Sequence, residues 1–176
     1  AVKPVLFMDP AEISLKAPAS TIVYTSLYLK SLYGKSVTLT FNVSYSSVDH
    51  PEVPYTPGGF YIMNTSVILP AGGETRIVFK SNFALLPSYD FWGVIRVLNA
   101  SDTKQVLAHG IFSAFSWFKL SVLKLDRDGN PLAGEHVVVF PNSTIESTLL
   151  PSFEGYTNSS GKIDFYAPAG LYNIYT

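Results

Sequence analysis

Phe118-Lys-Leu-Ser-Val-Leu-Lys-Leu125, Asp126-Arg-Asp-Gly-Asn-Pro131 and Glu135-His-Val-Val-Val-Phe140 spell a strand, a turn and a second strand. The flanking segments alternate apolar and polar residues or run β-branched, as half-buried strands do, and Asp128-Gly129 supplies the tight step between them. Downstream, Tyr156-Thr-Asn-Ser-Ser-Gly161 is a polar loop and Lys162-Ile-Asp-Phe-Tyr166 a strand. Ala167-Pro-Ala-Gly-Leu-Tyr-Asn-Ile-Tyr-Thr176 makes a turn and a last strand. Short strands punctuated by Gly, Pro and Asn over sixty residues predict a small β-sandwich.

Asp126, Gly129, Pro131, Leu132 and Gly134 fit D-x-x-G-x-P-L-x-G, Thr157 and Gly161 fit T-x-x-x-G, and Pro168, Gly170, Tyr172 and Ile174 fit P-x-G-x-Y-x-I. In this order the motifs resemble the transthyretin-like or carboxypeptidase-regulatory-like family. The resemblance implies a fold and no activity. That family continues to one more strand that closes the sheet, whereas this sequence ends at Thr176, so the resemblance implies an open edge at Leu171, Tyr172, Asn173, Ile174 and Tyr175. Exposed edges are either blunted or used.

Upstream, Ser36-Val-Thr-Leu-Thr-Phe-Asn-Val-Ser-Tyr45 places Val37, Leu39, Phe41, Val43 and Tyr45 on one face. Further strands are expected at Glu12–Lys16, Phe60–Met63, Ser66–Leu69, Thr75–Phe79, Phe91–Leu98 and Val106–Phe115. Pro70-Ala-Gly-Gly73, Pro87-Ser-Tyr-Asp90 and Asn99-Ala-Ser-Asp102 are the turns between them. Ile22–Leu29 is apolar at several phases; its Ile, Val, Tyr and Thr favour a strand over one or two helical turns. The rhythm is similar to immunoglobulin-like modules of cell-surface proteins. No flexible linker separates the halves near Ser113–Trp117, so the two sandwiches are expected to pack together, with Trp117 and Phe118 at the join. The expected organisation is all-β: an extended N-terminal strand at 1–17, an immunoglobulin-like sandwich at 18–115 and an incomplete transthyretin-like sandwich at 116–176.

Pro4, Pro10 and Pro18 forbid a helix across the first segment. Val2, Pro4, Leu6 and Met8 fall on one side and Lys3, Val5 and Phe7 on the other, both sides largely apolar. Such a segment is either the first strand of its own sandwich or a strand for another.

Charged residues make up 14% of the chain, against about 25% in ordinary soluble domains. Hydroxyls or added sugars must therefore wet the surface. A net charge of −1 with no basic cluster argues against nucleic acid or anionic lipid. There is no cysteine, and no apolar run approaches the ~18 residues of a membrane-spanning helix. A sequence beginning Ala-Val-Lys is expected to be either a mature secreted chain with its signal removed or a trimmed segment. Five of the eight asparagines sit in Asn-x-Ser/Thr sequons, namely Asn42, Asn64, Asn99, Asn142 and Asn158. That excess points to N-linked glycans and an extracellular location.

Catalytic signatures are lacking. His50, His109 and His136 have no ligand spacing, no Gly-x-Ser-x-Gly elbow occurs, and the acids are scattered beside turns. Asp126-Arg-Asp-Gly-Asn130 reads as a turn, since a calcium loop needs a later Glu than Glu135. No enzyme activity, metal or cofactor is expected. Related surface adhesins lock strands by Lys–Asn amide bonds, for which Lys119, Lys124 and Asn173 are the residues here.

A cysteine-free, low-charge, sequon-dense chain with an apolar N-terminal strand and an unfinished sandwich resembles the archaeal thread pilins, glycosylated extracellular filaments built by donor-strand complementation. The archaeal bundling pili are the second likeness. The resemblance implies that Val2, Pro4, Val5, Leu6, Phe7 and Met8 of one subunit form the donor for the next identical subunit, head to tail. The acceptor is then the edge Leu171–Tyr175 over Phe118, Leu120, Val122 and Phe165, or else the first domain. The alternatives are a binding module using Tyr55, Tyr61, Tyr89 and Trp92 as loop platforms, and a domain of a surface lattice.

Overall fold

The computed structural model of the chain describes residues 6–48, 51–52, 55–142, 152–168 and 170–176. Val2, Pro4 and Val5 of the expected donor lie outside them. The described residues are almost wholly extended, with one short 3-10 turn at Phe83–Leu85, and they form β-sandwiches. Two compact units divide between Ser116 and Trp117.

In unit 1, β1 (Leu6–Asp9), β3 (Ile22–Ser31), β7 (Glu74–Asn82) and β5 (Phe60–Ile62) make one sheet in that order. The facing sheet runs from β9 (Asp102–Leu123) through β8 (Asp90–Asn99) and β4 (Val37–Ser47) to β6 (Val67–Leu69), with β2 (Glu12–Pro18) paired to β9. Period-2 alternation drives both sheets. Leu27, Leu29, Ile77 and Phe79 from the first sheet meet Leu39, Ile95, Val97 and Phe112 from the second, all essentially inaccessible. Phe60 is the hub, with ring centroids 4.8 Å from Phe112 and 5.8 Å from Phe83. Gly93 is required because the Phe112 ring and the Ser44 carbonyl occupy the space of a Cβ.

The first seventeen residues, expected as an extended N-terminal segment with Glu12–Lys16 as a strand within it, contain two strands. Leu6–Asp9 and Glu12–Pro18 are two strands joined through the cis Asp9–Pro10 peptide, and each belongs to a different sheet of unit 1. Leu6 and Met8 are buried in the unit 1 core while Phe7 is exposed. The alternation that made both sides apolar is satisfied by burial on one of them.

In unit 2, β12 (Lys162–Ala167) pairs with the final stretch of β9, Phe118–Leu123. β11 (Phe153–Tyr156), β10 (His136–Pro141) and β13 (Tyr172–Tyr175) form the other sheet, with β10 central. The motif residues hold its loops. The Asp126 carboxylate accepts the backbone N–H groups of Asp128 (2.9 Å) and Asn130 (2.8 Å). Thr157, buried, accepts the Glu135 N–H at 3.0 Å and donates to the Leu132 carbonyl at 2.6 Å. Gly161, at φ +69°, lies so close to the Lys124 carbonyl that a side chain has no room.

Candidate functional site

Three side chains, Val137, Val139 and Phe165, make the buried core of unit 2, with Leu120, Val122, Phe153, Ile163 and Tyr172 packed partly against them. The sheet carrying β13 ends with that strand among the described residues. The Asn142 N–H donates to the Leu171 carbonyl at 2.9 Å, which fixes the phase of the β10–β13 ladder. Asn173, opposite Phe140, and Tyr175, opposite Val138, are therefore the residues bonded to β10. Tyr172 and Ile174 direct their N–H and carbonyl groups outward. Pro141, opposite Tyr172, is tolerated because its position needs no N–H toward β13.

The side chains tell the same story. Ile174 lies opposite Val139, whose side chain is fully buried, and so shares the inward face, yet it is 45% exposed. Phe118 shares its face with the half-buried Leu120 and Val122 and is 52% exposed. Both are core-facing residues without a full cover. Beside Phe118 opens a cleft of about 170 Å³ lined by Phe118, Lys119, Leu120, Ala167, Pro168, Gly170 and Tyr172. An inserted strand offers such a cleft two things: backbone groups for the edge of β13 and apolar side chains for the gap.

The rim is electrostatically quiet. The Lys119 ammonium meets Asp164 at 2.8 Å, and Ser121 donates to the same carboxylate at 2.7 Å. These hydrogen bonds, Lys119 first, hold Asp164 down to about 2 and raise Lys119 above its usual value. Asp126 is also lowered, chiefly by the Asn130 side chain. Of the residues of the expected Lys–Asn cross-link, Lys119 is held by Asp164 and Lys124 is hydrogen-bonded to Thr176, while Asn173 lies opposite Phe140 in the β10–β13 ladder. Among the described residues no group of three His, Cys, Asp or Glu could hold a metal ion.

Tyr172, Asn173, Ile174 and Tyr175 thus lie together on β13 with Leu171 just before it, and Phe165 belongs to the unit 2 core, against which Leu120 and Val122 pack half-buried. Leu6, Phe7 and Met8 are in β1, paired to Ser31, Lys30 and Leu29 of their own chain. Asn42 and Asn158 are exposed, and Asn64, Asn99 and Asn142 are half-buried. Of the aromatic platforms, Tyr55 and Trp92 are exposed, while Tyr61 and Tyr89 are half-buried. Trp92 and Tyr61 sit on strands β8 and β5 instead of loops. The outward phase of Tyr172 and Ile174 needed the ladder register and carried no sequence signal.

No family model matches the chain. A Na(+)/H(+) antiporter NhaA of Phocaeicola vulgatus is 29% identical over 155 residues, covering 82% of this chain. The chain spans about a third of the length of that curated relative, 34%, and among the described residues no helix is long and apolar enough to cross a membrane. Among solved structures, a family 123 glycoside hydrolase from Clostridium perfringens superposes on 69% of this chain and 28% of its own, with TM-score 0.53 and 7% identity. The CupB2 chaperone of Pseudomonas aeruginosa covers 96% of this chain and 98% of its own, with TM-score 0.42 and 12% identity. At these identities the likeness concerns the β-sandwich fold.

Proposed function

We propose that this chain is a non-catalytic, extracellular structural module that joins copies of itself head to tail by strand addition, as the subunit of a glycosylated surface filament of the archaeal thread kind. The observation that carries this reading is the terminal strand β13. At Ile174 its N–H and carbonyl groups point outward, and the core-facing side chains of Ile174 and Phe118 stay exposed. Strand addition satisfies both at once: main-chain hydrogen bonds supply affinity and alternate side chains fill the cleft. The donor is the segment 1–17 of another copy. Within its own chain β1 is four residues long and ends its sheet among the described strands, so exchange of β1 breaks its ladder with β3, and β2 gives up its pairing with β9 only where the whole segment moves. Reburying Leu6 and Met8 elsewhere restores about 1.5–3 kcal/mol each.

The second reading, a monomeric binding module on a larger surface protein, is favoured by one specific observation: Leu6 and Met8 are already buried in unit 1. Ile174→Pro separates the two. It removes an outward N–H and cuts no bond to β10, so the monomer keeps its fold. Negative-stain imaging and size exclusion of the intact chain are expected to show thin linear polymers, and those of Ile174→Pro monomers. A truncation lacking residues 1–10 should also stop polymerisation. An intact chain that stays monomeric at all concentrations overturns the filament reading in favour of the binding module.

A further inference from the structure

Unit 1 has an open flank of its own, and its chemistry is different. β6 covers β4 only from Val37 to Leu39, while β4 runs on to Ser47. The bonds from the Ala100 N–H to the Thr38 carbonyl and from the Val48 N–H to the Asp90 carbonyl assign the even residues of β4 to β8. The backbone groups of Phe41, Val43 and Tyr45 therefore face away from β8. Among the described strands none lies beside them on that flank. Across the gap, β5 is the terminal strand of the opposite sheet.

Between these two edges lies a cleft of about 360 Å³, within the roughly 300–1,000 Å³ of ligand pockets. Phe41, Val43 and Phe60 form its apolar part, and Tyr55, Asn42 and Asn64 its polar and aromatic part. Two of the five sequon asparagines line one cleft. The Asn64 carboxamide is held by its oxygen, which accepts the Val78 N–H at 3.1 Å. Nδ2, the atom that takes a glycan, is not the atom making that bond. At Asn99, by contrast, Nδ2 is itself the donor, to Gln105 at 2.9 Å.

We propose that Asn64, with Asn42 beside it, is an attachment site for an N-linked glycan whose first sugar occupies this cleft, against the exposed ring of Tyr55, and covers the free edge of β4. The proposal rests on the extracellular reading above and adds a division of labour to it. A sugar on β4 blunts the edge of unit 1 and leaves strand pairing to unit 2. In the attachment, a saccharide on a lipid phosphate or diphosphate donor gives up its C1–O bond, and Nδ2 bonds to C1 and loses a proton. The lipid phosphate leaves with the bonding electron pair.

The test compares the full chain secreted from yeast, which loads sequons with an N-acetylglucosamine-based oligosaccharide, with the unmodified chain made in bacteria. An endoglycosidase first trims the secreted chain to one N-acetylglucosamine per used asparagine. Glycopeptide mapping is expected to find the sugar on Asn64. Hydrogen exchange at Phe41, Val43 and Tyr45 should be slowed roughly tenfold by it, with β10 unchanged. Ser66→Ala destroys the sequon, keeps the Asn64–Val78 bond, and should return β4 to the unmodified rate. Should that variant fold poorly, the trimmed and bare wild-type chains decide alone. Asn64 unmodified while other sequons are used, or equal β4 exchange with and without sugar, overturns the proposal and leaves the assembly reading, which is read through Ile174, untouched. A chain with no sequon used overturns it together with the extracellular reading.

Discussion

Unit 1 gathers Leu27, Leu29, Leu39, Phe60, Ile77, Phe79, Ile95 and Phe112 into one continuous core, while the buried cluster among the described residues of unit 2 is Val137, Val139 and Phe165. A sandwich of about sixty residues buries only about 60% of its unfolded surface and is marginal on that ground alone. Unit 2 makes up part of the difference with polar loop locks at Thr157 and Asp126, and we propose that an added strand supplies the rest. The larger unit can thus fold as a finished body and the smaller one can serve as a socket.

The severest way to break that contrast is to empty the larger core. Phe60→Ala should destabilise unit 1 by about 3–5 kcal/mol, seen as faster hydrogen exchange in β3 and β7 with β10 little changed; loss of protection throughout both units would show that they do not unfold independently. Next in size is Thr157→Val, which strands the Glu135 N–H and the Leu132 carbonyl in a buried site at a cost of about 1–3 kcal/mol. Its effect should appear in the denaturant midpoint of unit 2, and an unchanged midpoint would remove the loop lock from the account. Ile174→Pro should alter monomer stability by no more than about 1 kcal/mol while abolishing polymers. Equal loss of fold and of assembly would mean that β13 is needed for folding, not for joining.

The smallest effect is a split response to pH. Asp164, held at about 2 by Lys119 and then Ser121, lies below its ordinary value of 3.8. A lowered acid contributes above its unfolded value and loses that contribution as pH falls from about 4 to about 2. Tyr45 is pushed up to about 12, by burial first and then by Tyr55. A raised phenol contributes below its ordinary value and loses the contribution as pH rises from about 10 to about 12. Acid should therefore loosen unit 2 and alkali unit 1. Residue-resolved exchange across pH checks this, and both units loosening together at either extreme would count against it.

Much of the fold was legible because alternation reports which face is buried. Val37, Leu39, Phe41, Val43 and Tyr45 are one face of β4, and Asp126, Thr157 and Gly161 are the loop residues their motifs imply. Other features depended on partners distant in sequence. Val106–Phe115 and Phe118–Leu125 read as two strands, but β9 is continuous from Asp102 to Leu123. The missed signal was parity: Phe112, Ala114, Ser116, Phe118, Leu120 and Val122 are all even and share one side of the strand. Phe153–Tyr156 forms β11 although Gly155 disguises it; the Ile163 side chain occupies the space a Cβ would need. The cleft at Asn42 and Asn64 was invisible because it exists only where β6 stops at Leu39, and no local pattern marks where a neighbouring strand ends. Burial of Leu6 and Met8 in their own core was one of two readings the alternation allowed, since a strand with two apolar sides does not name its partner.

The phase of β13 also sets a ruler. Only every second residue presents its hydrogen-bonding groups outward, so an incoming strand that slips by one residue turns its apolar side chains away from the cleft. Allowed slips come in pairs of residues, about 6.6 Å at a time. A polymer built on this edge changes length in discrete steps of that size and has no continuous stretch at its joints.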